Sequence, residues 1–242
     1  MPIDPFDTSF VVDWERLIMS SVSPQLDQSF ATLRRFARSR LPAERCELCS
    51  AILAHEHPHL LELASRQILC ACDACSTLFD GMAGARYRRV SRRTWLLDDF
   101  QVSDGDWESL LIPISMAFFF YSSTHRRMVT LYPSPAGAIE SLLPLEAWAD
   151  IVRNNPVLNQ LEPDIEALLV NRVGHARESA AAEYFFAPID DCYRLVGLIR
   201  THWKGLSGGN EVWEEIARFF NALRARAEIV TRKETVKDQE HA

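Results

Sequence analysis

Cys46-Glu-Leu-Cys49 and Cys72-Asp-Ala-Cys75 are two Cys-x2-Cys pairs separated by twenty-two residues. Structural zinc takes four thiolate or imidazole ligands in a tetrahedron, and each Cys-x2-Cys turn delivers two thiolates from one knuckle. The separation is a little above the roughly fifteen to twenty residues usual between two knuckles, a difference that a loop absorbs. Residues 72–80, CDACSTLFD, can open a short helix with Cys75 in its first turn. A knuckle, a hairpin and a helix start are the layout of a treble-clef zinc finger. Four sulfurs in a tetrahedron also suit iron, so the alternative metals are a one-iron rubredoxin-like centre and an iron–sulfur cluster. Ser50 and Ser76, not His, follow the two pairs, which excludes covalent c-type haem attachment.

Cys70 is the surplus cysteine of this segment: a free thiol, an alternate ligand or a redox group. His55, His57 and His59 lie between the knuckles in His-Glu-His-Pro-His. They read as alternate ligands or as a polar loop with one His bonded to the knuckle, and the loop is the preferred reading. A nickel-handling role would favour the ligand reading, because imidazole suits nickel. Cys192, alone on a predicted helix, reads as a small buried hydrophobe. Glu162, Asp164 and Glu166 read as first-turn charges of another helix. Leu206-Ser-Gly-Gly209 copies the signature peptide of ATP-binding-cassette proteins, but the chain has no Gly-x4-Gly-Lys-Ser/Thr loop to hold phosphate. It is read as a helix-terminating turn. Gly-x-Ser-x-Gly does not occur, and no catalytic residue is assigned.

The 242 residues are 48% hydrophobic and 24% charged, which excludes a disordered chain, a collagen-like chain and a coiled-coil rod. The formal net charge of -7 argues against general nucleic-acid binding. One segment departs from it. Residues 31–95 hold eleven Arg and no Lys against six acidic residues, a local balance of +5. Arg86, Arg88, Arg89, Arg92 and Arg93 are therefore candidates for a docking face, the alternative being a solvated surface. The N-terminus, MPIDPFDTSF, has no basic start followed by an apolar run, so no secretory signal is expected. The apolar stretch Ile112–Tyr121 is far short of the ~20 residues of a spanning helix, so no membrane insertion is expected. A cytoplasmic location follows, where clustered cysteines are metal ligands rather than disulfides.

Four segments must position these residues. Residues 1–42 read as an arm and an amphipathic helix over 24–40, with Leu26, Phe30, Leu33 and Phe36 on one face. Residues 43–85 form the zinc-binding module. Residues 86–226 read as an α+β domain, and 227–242 as a charged flexible tail. Within the third segment, Ser103–Leu111 reads as a short capped helix, and Ile112–Tyr121 with Arg127–Tyr132 as a hairpin. Leu145–Asn154, Glu162–Val173, Asp190–Trp203 and the segment from Val212 to Leu223 read as helices, with Asp190 or Asp191 capping the third. Glu183–Ala187 reads as a strand. The fold class is thus α+β: a small treble-clef-like four-cysteine module followed by an α+β domain.

The strings CELC, HPHLLELASRQILCACDAC, YPSPAG, NNPVLNQLEPDIEALLVNRV and PIDDCYRLVGLIRTHWKGLSGG together resemble an uncharacterised bacterial domain family. Its members are typically encoded beside nickel–iron hydrogenases. The resemblance spans about residues 43–225 and implies a hydrogenase-associated accessory role, with a hydrogenase subunit or maturation factor as partner. The expectation is a non-catalytic metal-binding accessory protein with a structural zinc. The alternatives are an electron-transfer protein for the hydrogenase and a nucleic-acid-binding regulator.

Overall fold

The computed structural model describes residues 44–80, 85–174 and 181–231. The arm and helix expected within 1–42 lie outside them. The first described element is the knuckle, closed by a bridge between Arg45 and Ile52. A hairpin of β1 (His59–Glu62) and β2 (Gln67–Cys70) follows, then helix α1 (Asp73–Leu78) and strand β3 (Tyr87–Arg89). β1 pairs antiparallel with both β2 and β3, giving the order β2-β1-β3. The boundary expected at 85/86 therefore cuts through the module's own sheet.

Side chains alternate across a strand, and here the two faces serve two cores. Leu60 and Leu69 pack with Cys46, Ala71 and Cys75. Leu61 and Ile68, one residue along, pack into the core of the α+β domain, as does Val90. The chain from Glu44 onward accordingly clusters as one unit.

The second sheet holds β4 (Trp95–Leu97), β5 (Met116–Ser122), β6 (Arg127–Ser134), β7 (Gly137–Ser141), β8 (Glu166–Asn171), β9 (Glu183–Pro188) and β10 (Glu228–Val230). Their order is β10-β4-β9-β8-β5-β6-β7, all antiparallel except the β10–β4 pair. Helices cover both faces. Phe118, Leu169 and Phe185 meet α4 (Ile189–His202) and α5 (Gly209–Arg226) on one face. Phe119, Leu168 and Phe186 meet α3 (Leu145–Asn154) on the other, beside the short helix α2 (Asp104–Ser109). Burying each such side chain is worth about 1.5–3 kcal/mol, which explains the unbroken apolar runs of the central strands. The molecule is α+β, with a small four-cysteine module joined to a larger sheet domain.

Three expectations need correction. Glu162–Val173 is not a helix; its apolar core, residues 166–171, is the central strand β8. A short apolar run buried on both faces carries no period that separates helix from strand. Residues 228–230, expected in the tail, form β10 beside β4. Asp190 and Asp191 lie in the first turn of α4 rather than at its cap, which is Pro188. Residues 137–141, assigned to no element from the sequence, form β7. The turn read at 206–209 is present: Gly208 and Gly209 adopt φ of 86° and 74° where α4 gives way to α5. No helix among the described residues is long and apolar enough to cross a membrane.

Candidate metal centre

Cys46 and Cys49 sit on the knuckle, whose turn is held by the Ser50 N–H donating to the Cys46 carbonyl at 2.7 Å. Cys72 is the N-cap of α1, and its Sγ accepts the Cys75 N–H at 3.4 Å. A Cys-x2-Cys pair placed across a helix N-terminus thus presents both sulfurs to one side. The four Sγ atoms lie within 4.8 Å of one another. Cys49 and Cys72 sulfurs are 3.6 Å apart. Zn–S bonds of about 2.3 Å place tetrahedral sulfurs about 3.8 Å from each other. All six cysteines are free, and 3.6 Å is far beyond a disulfide bond of about 2.05 Å. The four can hold a metal ion.

The electrostatics of the cluster favour a cation. Burial opposes ionisation of Cys46, but backbone N–H groups of Cys72, Cys49 and Leu48 bring its thiol down to about 6. Burial pushes Cys75 up to about 12, and the sulfurs of Cys72, Cys49 and Cys46 add to the shift. One thiolate is stabilised, and Cys49 and Cys75 then resist ionising. A divalent ion removes that conflict by supplying the largest local charge, and its ligands are deprotonated outright.

Cys70 stands outside this cluster. It shares its face of the hairpin with Ile68, which packs toward the α+β domain, whereas Leu69 packs on the four-cysteine side. Its sulfur groups instead with His57 and His59, all three ligand atoms lying within 4.8 Å. His55 is exposed and does not join them. The preferred reading of the histidines as a polar loop missed this convergence. It also missed Asp190, whose carboxylate accepts the His59 Nδ1–H at 2.6 Å. That bond raises the His59 pKa above the ordinary imidazole value, with burial opposing it. Nothing in the sequence links two residues so far apart. Cys192 is fully buried and its thiol is pushed far up by burial, in keeping with a core position.

The arginines expected to form a docking face are mostly engaged within the chain. Arg86 pairs with Glu62 at 2.5 Å. Arg88 donates to the Pro163 carbonyl at 2.6 Å and pairs with Glu162 at 3.3 Å. Arg89 lies 3.9 Å from Asp73, and its N–H donates to Asp80. Arg93 makes two bonds to the buried Glu166 and one to the Gln160 carbonyl, and stacks 4.2 Å over Trp95. Arg92 is exposed. Glu162 and Glu166 are thus partners of arginines rather than first-turn helix charges, and Asp164 accepts the Ser123 N–H at 2.8 Å.

A groove of about 610 Å3 opens elsewhere, between Tyr132, Arg172, Trp203 and Trp213. The Arg172 guanidinium there is bonded to the Tyr184 hydroxyl at 2.8 Å and to Asp104. A model of DUF5947, a family of unknown function, matches residues 45–227. No curated protein and no solved structure matches the chain.

Proposed function

We propose that this chain, which belongs to the DUF5947 family, is a non-catalytic metal-binding accessory protein. In this reading Cys46, Cys49, Cys72 and Cys75 hold a structural zinc, and the module they organise docks on a subunit or maturation factor of a nickel–iron hydrogenase in the cytoplasm. The observation that carries the metal-binding part is the convergence of the four sulfurs within 4.8 Å of one another, with those of Cys49 and Cys72 3.6 Å apart. Zinc suits a closed four-thiolate set with no ligand left to exchange. Among the described residues the module's own buried core is Cys46, Leu60, Ala71 and Cys75, too small to hold the knuckle without help. Zinc binding is worth about 10–16 kcal/mol in zinc-finger peptides. The hydrogenase partner rests on the resemblance of the strings spread over about residues 43–225, and on nothing else.

Elemental analysis and an absorbance spectrum of one purified sample test the metal. Zinc at one equivalent or more in a colourless protein is expected. Neither zinc nor iron at stoichiometric level would sink the reading. Iron with a visible absorbance band would replace it with an electron-transfer role, which the exposure of Cys49 favours because electrons reach a surface sulfur readily. The partner is tested by co-purification of the tagged chain with hydrogenase subunits, in both directions. The internal pairing of the arginines leaves a nucleic-acid-binding regulator without its main support.

A further inference from the structure

His57, His59 and Cys70 are brought together by the hairpin and by the helix it packs on. His59 and Cys70 face each other across β1 and β2. The Ala71 N–H donates to the Pro58 carbonyl at 3.0 Å, so the His59–Cys70 pair is the non-hydrogen-bonded kind, in which facing side chains come closest. His57 is two residues upstream, its ring 5.0 Å from that of His59 and edge-on to it.

Both imidazoles are oriented as metal ligands are. The Nδ1 of His57 lies 3.0 Å from the Ala54 carbonyl, which only accepts, so Nδ1 carries the hydrogen. The Nε2 lone pair is then the ring's remaining binding atom. It is buried and has no hydrogen-bond partner among the described residues, in a side chain only 7% exposed. An unsatisfied buried nitrogen of this kind opposes folding, and a cation would satisfy it. The Nδ1 of His59 donates to Asp190, whose other oxygen accepts the Asp191 N–H at 2.8 Å. A carboxylate that fixes the far nitrogen of a ligating histidine is the recurring outer shell of metal sites.

We propose that His57, His59 and Cys70, backed by Asp190, form a second site for a divalent transition cation of the zinc and nickel class. Two imidazoles and one thiolate are a borderline-soft donor set, which favours such cations over magnesium or calcium. Three protein ligands leave a fourth position for water or an exchangeable ligand, and the His59 side chain is 30% exposed. This site is open where the four-cysteine centre is closed. It lies at the join between the hairpin and α4, so its cation would also tie the module to the domain. The inference depends neither on the hydrogenase partner nor on which metal the four cysteines hold.

The test uses the full chain loaded with one equivalent of zinc, then titrated with Co2+ and separately with Ni2+. The wild type is expected to take one further equivalent with a thiolate-to-metal charge-transfer band. Cys70→Ser abolishes the band. Asp190→Asn weakens binding of the second equivalent about 10–100-fold, and His57→Gln by at least as much. A competition between equal concentrations of zinc and nickel reports which cation is retained. If Cys70→Ser does not fold by circular dichroism, His57→Gln and Asp190→Asn carry the test. A wild type that binds no second equivalent overturns the proposal, as does a set of folded variants that titrate like the wild type.

Discussion

Arg93→Ala should destabilise the protein far more than removal of any other arginine in its cluster. Glu166 lies on the central strand β8 with its side chain 1% exposed. Both its oxygens are bonded to the Arg93 guanidinium, and one also accepts the Glu162 N–H at 3.1 Å. Removing Arg93 leaves a carboxylate buried with one backbone donor and no countercharge, which costs about 3–5 kcal/mol. The lost stacking on Trp95 adds about 0.5–1 kcal/mol. At about 2–4 °C per kcal/mol for a unit of this size, the midpoint of thermal unfolding should fall by roughly 7–24 °C. Replacing both partners with apolar residues, Arg93→Met with Glu166→Leu, removes the stranded charge and should recover at least half of the loss. The orphaned Glu162 N–H accounts for about 1 kcal/mol of what remains. Thermal and urea unfolding of the single and double variants measure both effects. A single variant within about 1 kcal/mol of the wild type, or a double variant as unstable as the single, would refute the assignment of Arg93 to the core and return it to the docking face.

Three further outcomes are expected. Chelation should abolish hydrogen-exchange protection across the knuckle and hairpin, residues 45–71, while β5 and β8 keep theirs; equal loss in both regions would mean the module is not a separate metal-dependent layer. Glu140 is bonded to Arg127 and lies near Arg66, contacts that hold its carboxyl below the ordinary value of 4.5. Its contribution is present above that value and is lost as pH falls through the lowered one, so Glu140→Gln should lower stability modestly at pH 7, leave low-pH stability nearly unchanged, and thereby flatten the acid limb of a stability–pH curve. At Gly208, with φ of 86°, an added Cβ would meet Val212 Cγ1 at 2.8 Å and Trp203 at 3.1 Å; Gly208→Ala should cost about 1–3 kcal/mol, read from denaturant unfolding, and an unchanged midpoint would contradict the strained turn.

The four-cysteine cluster was legible because its chemistry is local. Two Cys-x2-Cys turns announce themselves by spacing, and α1 follows from placing the second at a helix start. The capped helix at Ser103 was legible for the same reason: its side chain and that of Asp106 exchange bonds within one turn. β8 was not legible. Its run of apolar residues is short and is buried by layers on both sides, and only the layers distinguish it from a helix. The arginines misled because composition reports charge but not its partners. Glu62, Glu162 and Glu166 lie from 24 to 74 residues away from the arginines they meet.

The sequence by itself determined the α+β class, the four-cysteine module and the helices with their own caps and periods. These depend on interactions a few residues long. Only the tertiary structure decided which face of the hairpin each residue takes. Leu60 and Leu69 turn to the four-cysteine core, while His59, Leu61, Ile68 and Cys70 turn to the α+β domain. A strand places alternate residues on opposite faces, so its register and its neighbours settle whether a surplus cysteine joins one cluster or another. Asp190, which orients His59 from 131 residues away, reaches it only because α4 packs against that face.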